Sequence, residues 1–142
     1  MPAPSFSLVD QYGKTVRLSD MSGQLVFLDF WATWCGPCRE MQPTYRSLQE
    51  KYKGKNINFV FISLDNSERL WKDYLVSKRM GGQHLIANEA LGFKSPVSED
   101  YQIPSLPYAL LLDSNGTIVW KRNGGFSVSN LTRLIDQLLE VE

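Results

Sequence analysis

Phe30-Trp31-Ala32-Thr33-Trp34-Cys35-Gly36-Pro37-Cys38-Arg39 is the stretch on which the reading of this chain turns. It holds both cysteines of a 142-residue sequence, spaced Cys-x-x-Cys. The apolar run before it, residues 25–30, reads as a strand, and residues 40–52 after it as a helix. The cysteines therefore fall where a strand ends and a helix begins. The first turn of a helix offers unpaired N–H groups and the positive end of the macrodipole. Both favour a thiolate, so Cys35 is the expected nucleophile. Cys38 lies one helical turn further on the same face, within disulfide reach. Pro37 suits the first turn, where its missing N–H is not needed. Gly36 lets another backbone come close to the sulfur. The pair is suited to cycling between dithiol and disulfide.

Trp34-Cys35-Gly36-Pro37-Cys38 behind a hydrophobic strand resembles the thioredoxin active site. The wider pattern is Ala3-Pro4-x-Phe6-x-Leu8, Gly13-Lys14, Leu18-Ser19-Asp20 and Phe30-Trp31-Ala32-Thr33-Trp34-Cys35. It is similar to the TlpA/ResA-like envelope branch of that family, over nearly the whole chain from about Pro4. The resemblance implies a thiol–disulfide oxidoreductase, with Cys35 as nucleophile and Cys38 as resolving thiol. It implies reduction rather than oxidation, because the inner pair is Gly-Pro. The implied cofactor requirement is none beyond the Cys35–Cys38 disulfide. The implied partners are protein disulfides, apocytochrome c among them, with a membrane thiol carrier as electron donor.

Asp29 interrupts the apolar strand six residues before Cys35. Burial there should raise its pKa. By residue type alone it could be a strand-end acid bonded to local N–H groups. The resemblance instead implies a general acid/base for Cys38. Many envelope relatives have Asn at this place, so Asp29 leans toward thioredoxin itself. Those relatives also place a glutamate near Asn66, a role this chain does not clearly carry.

Tyr101-Gln102-Ile103-Pro104-Ser105-Leu106-Pro107-Tyr108 is the second informative stretch. A proline directly before the apolar strand 109–113 is either a strand start or a cis proline. The resemblance implies a cis Leu106–Pro107 bond facing the cysteines, with Pro104 the lesser candidate. Trp34, Gly36, Pro37, Leu106 and Pro107 would then shape the surface on which substrate docks.

The remaining chain supplies a scaffold. Residues 5–22 read as a strand pair, 57–64 as a second buried strand, and 84–87 as a short strand. Asn66 or Ser67 should cap a helix to about Lys78, with Leu70, Trp71, Tyr74 and Leu75 packed on one face. Pro43 should kink the helix after the cysteines. Residues 88–100 read as irregular or weakly helical, an insertion into the minimal fold. Strands 109–113 and 117–121 make a hairpin around Ser114-Asn115-Gly116. A last helix from about Ser129 carries Leu131, Leu134, Ile135, Leu138 and Leu139 as one stripe. The expected fold is α/β: one thioredoxin-like domain over 1–142, a central mixed sheet flanked by helices, with an N-terminal strand pair and a central insertion.

Lys+Arg and Asp+Glu both number 15, which argues against nucleic acid as a partner. The chain is expected to be a monomer. Met1-Pro2-Ala3-Pro4-Ser5 does not read as a signal peptide. Taken literally that gives a cytoplasmic protein. The envelope resemblance implies instead a domain excised from a longer periplasmic or envelope protein.

Rival functions are weaker. A structural zinc site wants four ligands, and beyond the two cysteines only His84 and carboxylates remain, so no metal is expected. Copper(I) on two thiolates stays open. Cys38 is followed by Arg39 rather than His, against covalent haem attachment. A catalytic Cys–His pair with His84, the sole histidine, has no motif behind it. A static disulfide in a binding module leaves the complete motif without a purpose. Thiol peroxidases resemble this fold, but their Thr-x-x-Cys pattern is absent.

Overall fold

Leu25–Trp31 (β3) is buried at every position. A strand without an exposed face must lie inside a sheet covered on both sides. In the computed structural model of the chain, which describes residues 1–87 and 92–141, it does. Ile57–Ser63 (β4) pairs with β3 in parallel from Leu25↔Ile57 to Trp31↔Ser63. Tyr108–Leu112 (β6) pairs with its other edge antiparallel, from Phe30↔Tyr108 to Val26↔Leu112. Gln83–Ile86 (β5) continues the parallel half beside β4. Ile118–Asn123 (β7) closes the hairpin with β6.

The N-terminal pair, Ser7–Asp10 (β1) and Thr15–Arg17 (β2), is not a separate unit. β1 pairs antiparallel with β5 through Val9↔Ile86 and Asp10↔Leu85. Among the described residues this gives one seven-stranded sheet in the order β2-β1-β5-β4-β3-β6-β7.

The two-residue period of β3 divides the core. Leu25, Phe27 and Trp31 face one layer, with Gly36–Glu40 (α1), Gln42–Lys51 (α2), Glu68–Lys78 (α3) and Ser129–Val141 (α5). Val26, Leu28 and Phe30 face the other, with Phe6, Val16, Met21 and the short helix Pro96–Asp100 (α4). The same period places Asp29 on the layer that contains both cysteines.

Two local expectations meet the structure closely, and a third takes another form. Ser67 caps α3, accepting the Leu70 N–H at 3.2 Å. Pro43 lies in the first turn of α2 rather than in a helix interior, because the run after the cysteines is divided at Met41 (φ −80°, ψ −12°) into α1 and α2. Leu131 and Ile135 form the buried centre of the α5 stripe. One expectation fails. Leu70 is 60% exposed, because the packed stripe of α3 centres on Trp71 and Leu75 and leaves Leu70 on its flank.

Of the stretch 88–100, residues 88–91 lie outside the described residues. The rest forms a 3-10 turn, Gly92–Lys94, and α4. Among the described residues no helix is long and apolar enough to cross a membrane.

Candidate active site

The chain leaves β3 at Trp31 and turns at once. The Cys35 N–H donates to the Ala32 carbonyl at 3.1 Å, so residues 32–35 form a tight turn that delivers Cys35 to the start of α1. Cys35 is the N-cap of that helix, and its Sγ accepts the Cys38 N–H at 3.2 Å. A sulfur in this place is the acceptor for a helix N-terminus, an arrangement that favours negative charge on it. Cys35 and Cys38 are joined as a disulfide with their Cα atoms 5.3 Å apart. Both are buried, while Trp34 beside them is 57% exposed and Pro37 is exposed. A Cβ built on Gly36 would meet nothing within 4 Å, so the space beside its backbone is open.

The Leu106–Pro107 bond is cis, as the resemblance implied. Pro107 precedes β6 directly, and Tyr108 pairs with Phe30, so the proline loop sits at the same end of the sheet as the cysteines. Asn123 holds the loop, its Nδ2 donating to the Ser105 carbonyl at 3.1 Å, while the Gly124 N–H donates to the Pro107 carbonyl at 2.8 Å. Leu106 is half-buried and packs on the layer that contains Cys35 and Cys38.

Asp29 is buried on that layer and is not bonded to local N–H groups. Its partner is the Tyr45 hydroxyl from α2, which donates to Oδ1 at 2.9 Å. Burial pushes the Asp29 carboxyl well above the ordinary carboxylate range, and the Tyr45 hydrogen bond offsets part of this. The Tyr45 phenol is pushed up in turn by burial and by the carboxylate it faces.

His84 is not brought to the cysteines. It sits on β5, two strands from β3, stacked on Phe61 with ring centroids 5.2 Å apart. Its Nε2 is 2.8 Å from the Gly81 carbonyl, and burial holds its pKa down. Asn66 packs its amide against Gly92: a Cβ there would come within 2.7 Å of Oδ1. Among the described residues no group of three or more His, Cys, Asp or Glu side chains is placed to hold a metal ion.

The structure adds three residues that the sequence does not single out. Tyr45 reads there as one more apolar position of a helix. Phe93, in the 3-10 turn of the insertion, lies with its ring 6.4 Å from that of Trp34 and is 40% exposed. Asp65 is buried at the end of β4 and bonds the turn before Cys35. A signal for it exists along the chain: it is an acid just after an apolar strand run, at the strand ends where α/β sheets carry their sites.

Comparison with known proteins agrees with this geometry. The model of the AhpC/TSA family matches residues 1–121. The thiol-disulfide oxidoreductase ResA of a Bacillus cereus strain is 32% identical over 127 residues, covering 84% of this chain and 66% of that protein. The chain thus spans slightly less than two thirds of that relative's length. ResA of Oceanobacillus iheyensis is 31% identical over 142 residues, covering 96% of this chain and 70% of that protein. Among solved structures, a thiol-disulfide oxidoreductase from Bacteroides fragilis superposes with a TM-score of 0.85 at 26% identity, covering 97% of this chain and 100% of that one. The chain belongs to the AhpC/TSA family, with a thioredoxin-like fold, on the branch that holds the ResA thiol–disulfide oxidoreductases.

Proposed function

We propose that this chain is a thiol–disulfide oxidoreductase that reduces protein disulfides. The observation that supports this most directly is Cys35 at the N-cap of α1, its sulfur accepting the Cys38 N–H. In the reduced protein the Cys35 thiolate attacks one sulfur of a substrate disulfide. The substrate S–S bond breaks, one substrate thiolate leaves, and a mixed disulfide forms on Cys35. Cys38 then loses its proton and attacks the Cys35 sulfur. The second substrate thiolate leaves and Cys35–Cys38 is oxidised, two electrons having passed to the substrate. Asp29 is the base for Cys38, directly or through water, since burial raises its pKa above the ordinary carboxylate range and so makes it a better proton acceptor.

Trp34, Gly36, Pro37, Leu106 and Pro107 form the docking surface. The backbone of half-buried Leu106, in the proline loop, can pair with an extended substrate segment. The domain works as a monomer in the cell envelope, without a metal, and a membrane thiol carrier returns it to the dithiol. Oxidised protein thiols, including those of apocytochrome c, are the substrates.

The test is the equilibrium reduction potential of Cys35–Cys38, read by alkylating protein poised in thiol/disulfide buffers. A value near that of thioredoxin, about −270 mV, or lower is expected. A value near that of a dedicated disulfide donor, about −120 mV, would reverse the direction of electron flow. A pair that never equilibrates with the buffer would be a static disulfide, and the proposal would fall.

A further inference from the structure

We propose that Asp65 is a positioning residue for the Cys35 nucleophile: its carboxylate locks the turn that carries Cys35 from β3 to α1. The inference rests on the reductase reading above only for the step that Cys35 performs.

The last backbone rung between β3 and β4 is the Leu64 N–H donating to the Trp31 carbonyl at 2.8 Å. Beyond it the strands part and no ladder holds the turn. Asp65 takes over. The Thr33 N–H donates to both carboxylate oxygens at 3.1 Å, and the Thr33 hydroxyl donates to Oδ1 at 2.6 Å. Ser63 braces the acid from behind. Its hydroxyl donates to Oδ2 and accepts the Asp65 N–H at 2.9 Å.

Thr33 is held from its other side as well, its carbonyl accepting from Arg39 Nη1 at 2.8 Å. The residue is therefore pinned through its N–H and hydroxyl by the end of β4, and through its carbonyl by α1. One residue, Trp34, separates it from Cys35. The turn closes through the Cys35 N–H onto Ala32, so fixing Thr33 fixes where the sulfur meets the helix N-terminus.

A purely structural account is less economical. Asp65 is only 3% exposed. Burying a carboxylate is costly unless donors surround it, and an apolar residue of similar volume is often more stabilising. Here, among the described residues, the three side-chain and backbone donors to the carboxylate belong to the strand end and the turn. The acid gains its partners only by holding the turn in this shape.

The test uses the reduced protein in a Cys38→Ala background, so that Cys35 is the sole thiol. Its alkylation rate is followed against pH. If Asp65 sets the turn, Asp65→Ala lets the sulfur leave the helix N-terminus. The midpoint then moves toward that of an ordinary thiol by about one pH unit, with about tenfold less thiolate at neutral pH. With Cys38 restored, kcat/KM for protein disulfides falls about tenfold. Asp65→Asn keeps an oxygen for Thr33 and lets the Ser63 hydroxyl accept from the amide, so it should recover both readouts to within about threefold. Thr33→Val removes one bond only and should shift the midpoint the same way by less; it serves if Asp65→Ala does not fold. An unchanged midpoint in both Asp65→Ala and Thr33→Val, whatever the loss in melting temperature, would overturn the proposal. The alkylation profile needs no substrate. A wild-type protein without disulfide reductase activity would count against the proposed function and leave this test decisive.

Discussion

The Tyr45 hydroxyl donates to the Asp29 carboxylate at 2.9 Å, across the gap between helix α2 and the central strand β3. The contact makes a buried acid tolerable without a cation. It also ties α2, the second helix after the cysteines, to the strand that precedes them.

The first prediction follows from that pair. Asp29 has its folded pKa raised by burial. Its contribution to stability is therefore full below about pH 4, the ordinary value for an unfolded Asp, and is lost as pH rises through the folded value. Asp29→Asn removes the loss. Melting temperatures measured from pH 4 to 9 should show the variant gaining on the wild type as pH rises. The gain should reach on the order of 1–3 kcal/mol, the range for relieving a buried polar group. Tyr45→Phe removes the hydrogen bond that lowers the pKa, so its transition should move to higher pH. Parallel curves for Asp29→Asn and wild type would mean that Asp29 is not desolvated in solution.

Roles of the two cysteines separate by trapping. Cys38→Ser should accumulate a covalent one-to-one adduct between Cys35 and a protein substrate, visible as a mass increase removed by thiol reductant. Cys35→Ser should form none and reduce disulfides at the background rate. Adduct on Cys38 in the second variant would exchange the two assignments.

Much of this site is legible along the chain because its logic is local. A strand, a turn and a helix N-terminus place Cys35, and the proline before β6 is visible in Leu106-Pro107-Tyr108. Tyr45, Asp65 and Phe93 are less legible because each acts on a residue far along the chain. Tyr45 meets Asp29 only after α2 has packed on β3, and Asp65 meets Thr33 only after two parallel strands have aligned. Phe93 lies in an insertion without periodicity. The place of β1 between β2 and β5 is hidden likewise, since β5 comes late in the sequence. Leu70 escapes the pattern because residues 70, 71, 74 and 75 fit one broad apolar stripe, and sequence alone does not say which flank the sheet leaves uncovered.

His84 carries an acid-side prediction. Burial lowers its folded pKa below the ordinary 6.5, opposed by the Gly81 carbonyl that its Nε2 meets at 2.8 Å. The stability it contributes is full above pH 6.5 and is lost as pH falls through the folded value. The difference in melting temperature between His84→Phe and wild type should therefore shift in favour of the variant as pH falls below about 6.5. Phe retains a ring against Phe61, so stacking is largely kept. Reading the difference isolates His84 from the opposite trend of Asp29. A flat difference from about pH 7 to 4 would show that His84 is solvated or titrates normally.

Phe93 gives the last prediction. With Trp34 it forms an exposed aromatic pair beside Cys35, rings 6.4 Å apart in a tilted arrangement. An exposed aromatic pair next to a reactive sulfur suits apolar side chains that flank a substrate cysteine. Nothing about the sulfur chemistry requires it. Phe93→Ser should therefore raise KM for a protein disulfide about three- to tenfold, equivalent to about 0.6–1.4 kcal/mol by affinity arithmetic. Turnover at saturation, and reduction of a small dithiobis-type disulfide, should stay within about twofold of wild type. Steady-state kinetics with both substrates separates the outcomes. An equal fall with the small disulfide would place Phe93 among the supports of Trp34 and Cys35, and an unchanged KM would remove it from the docking surface.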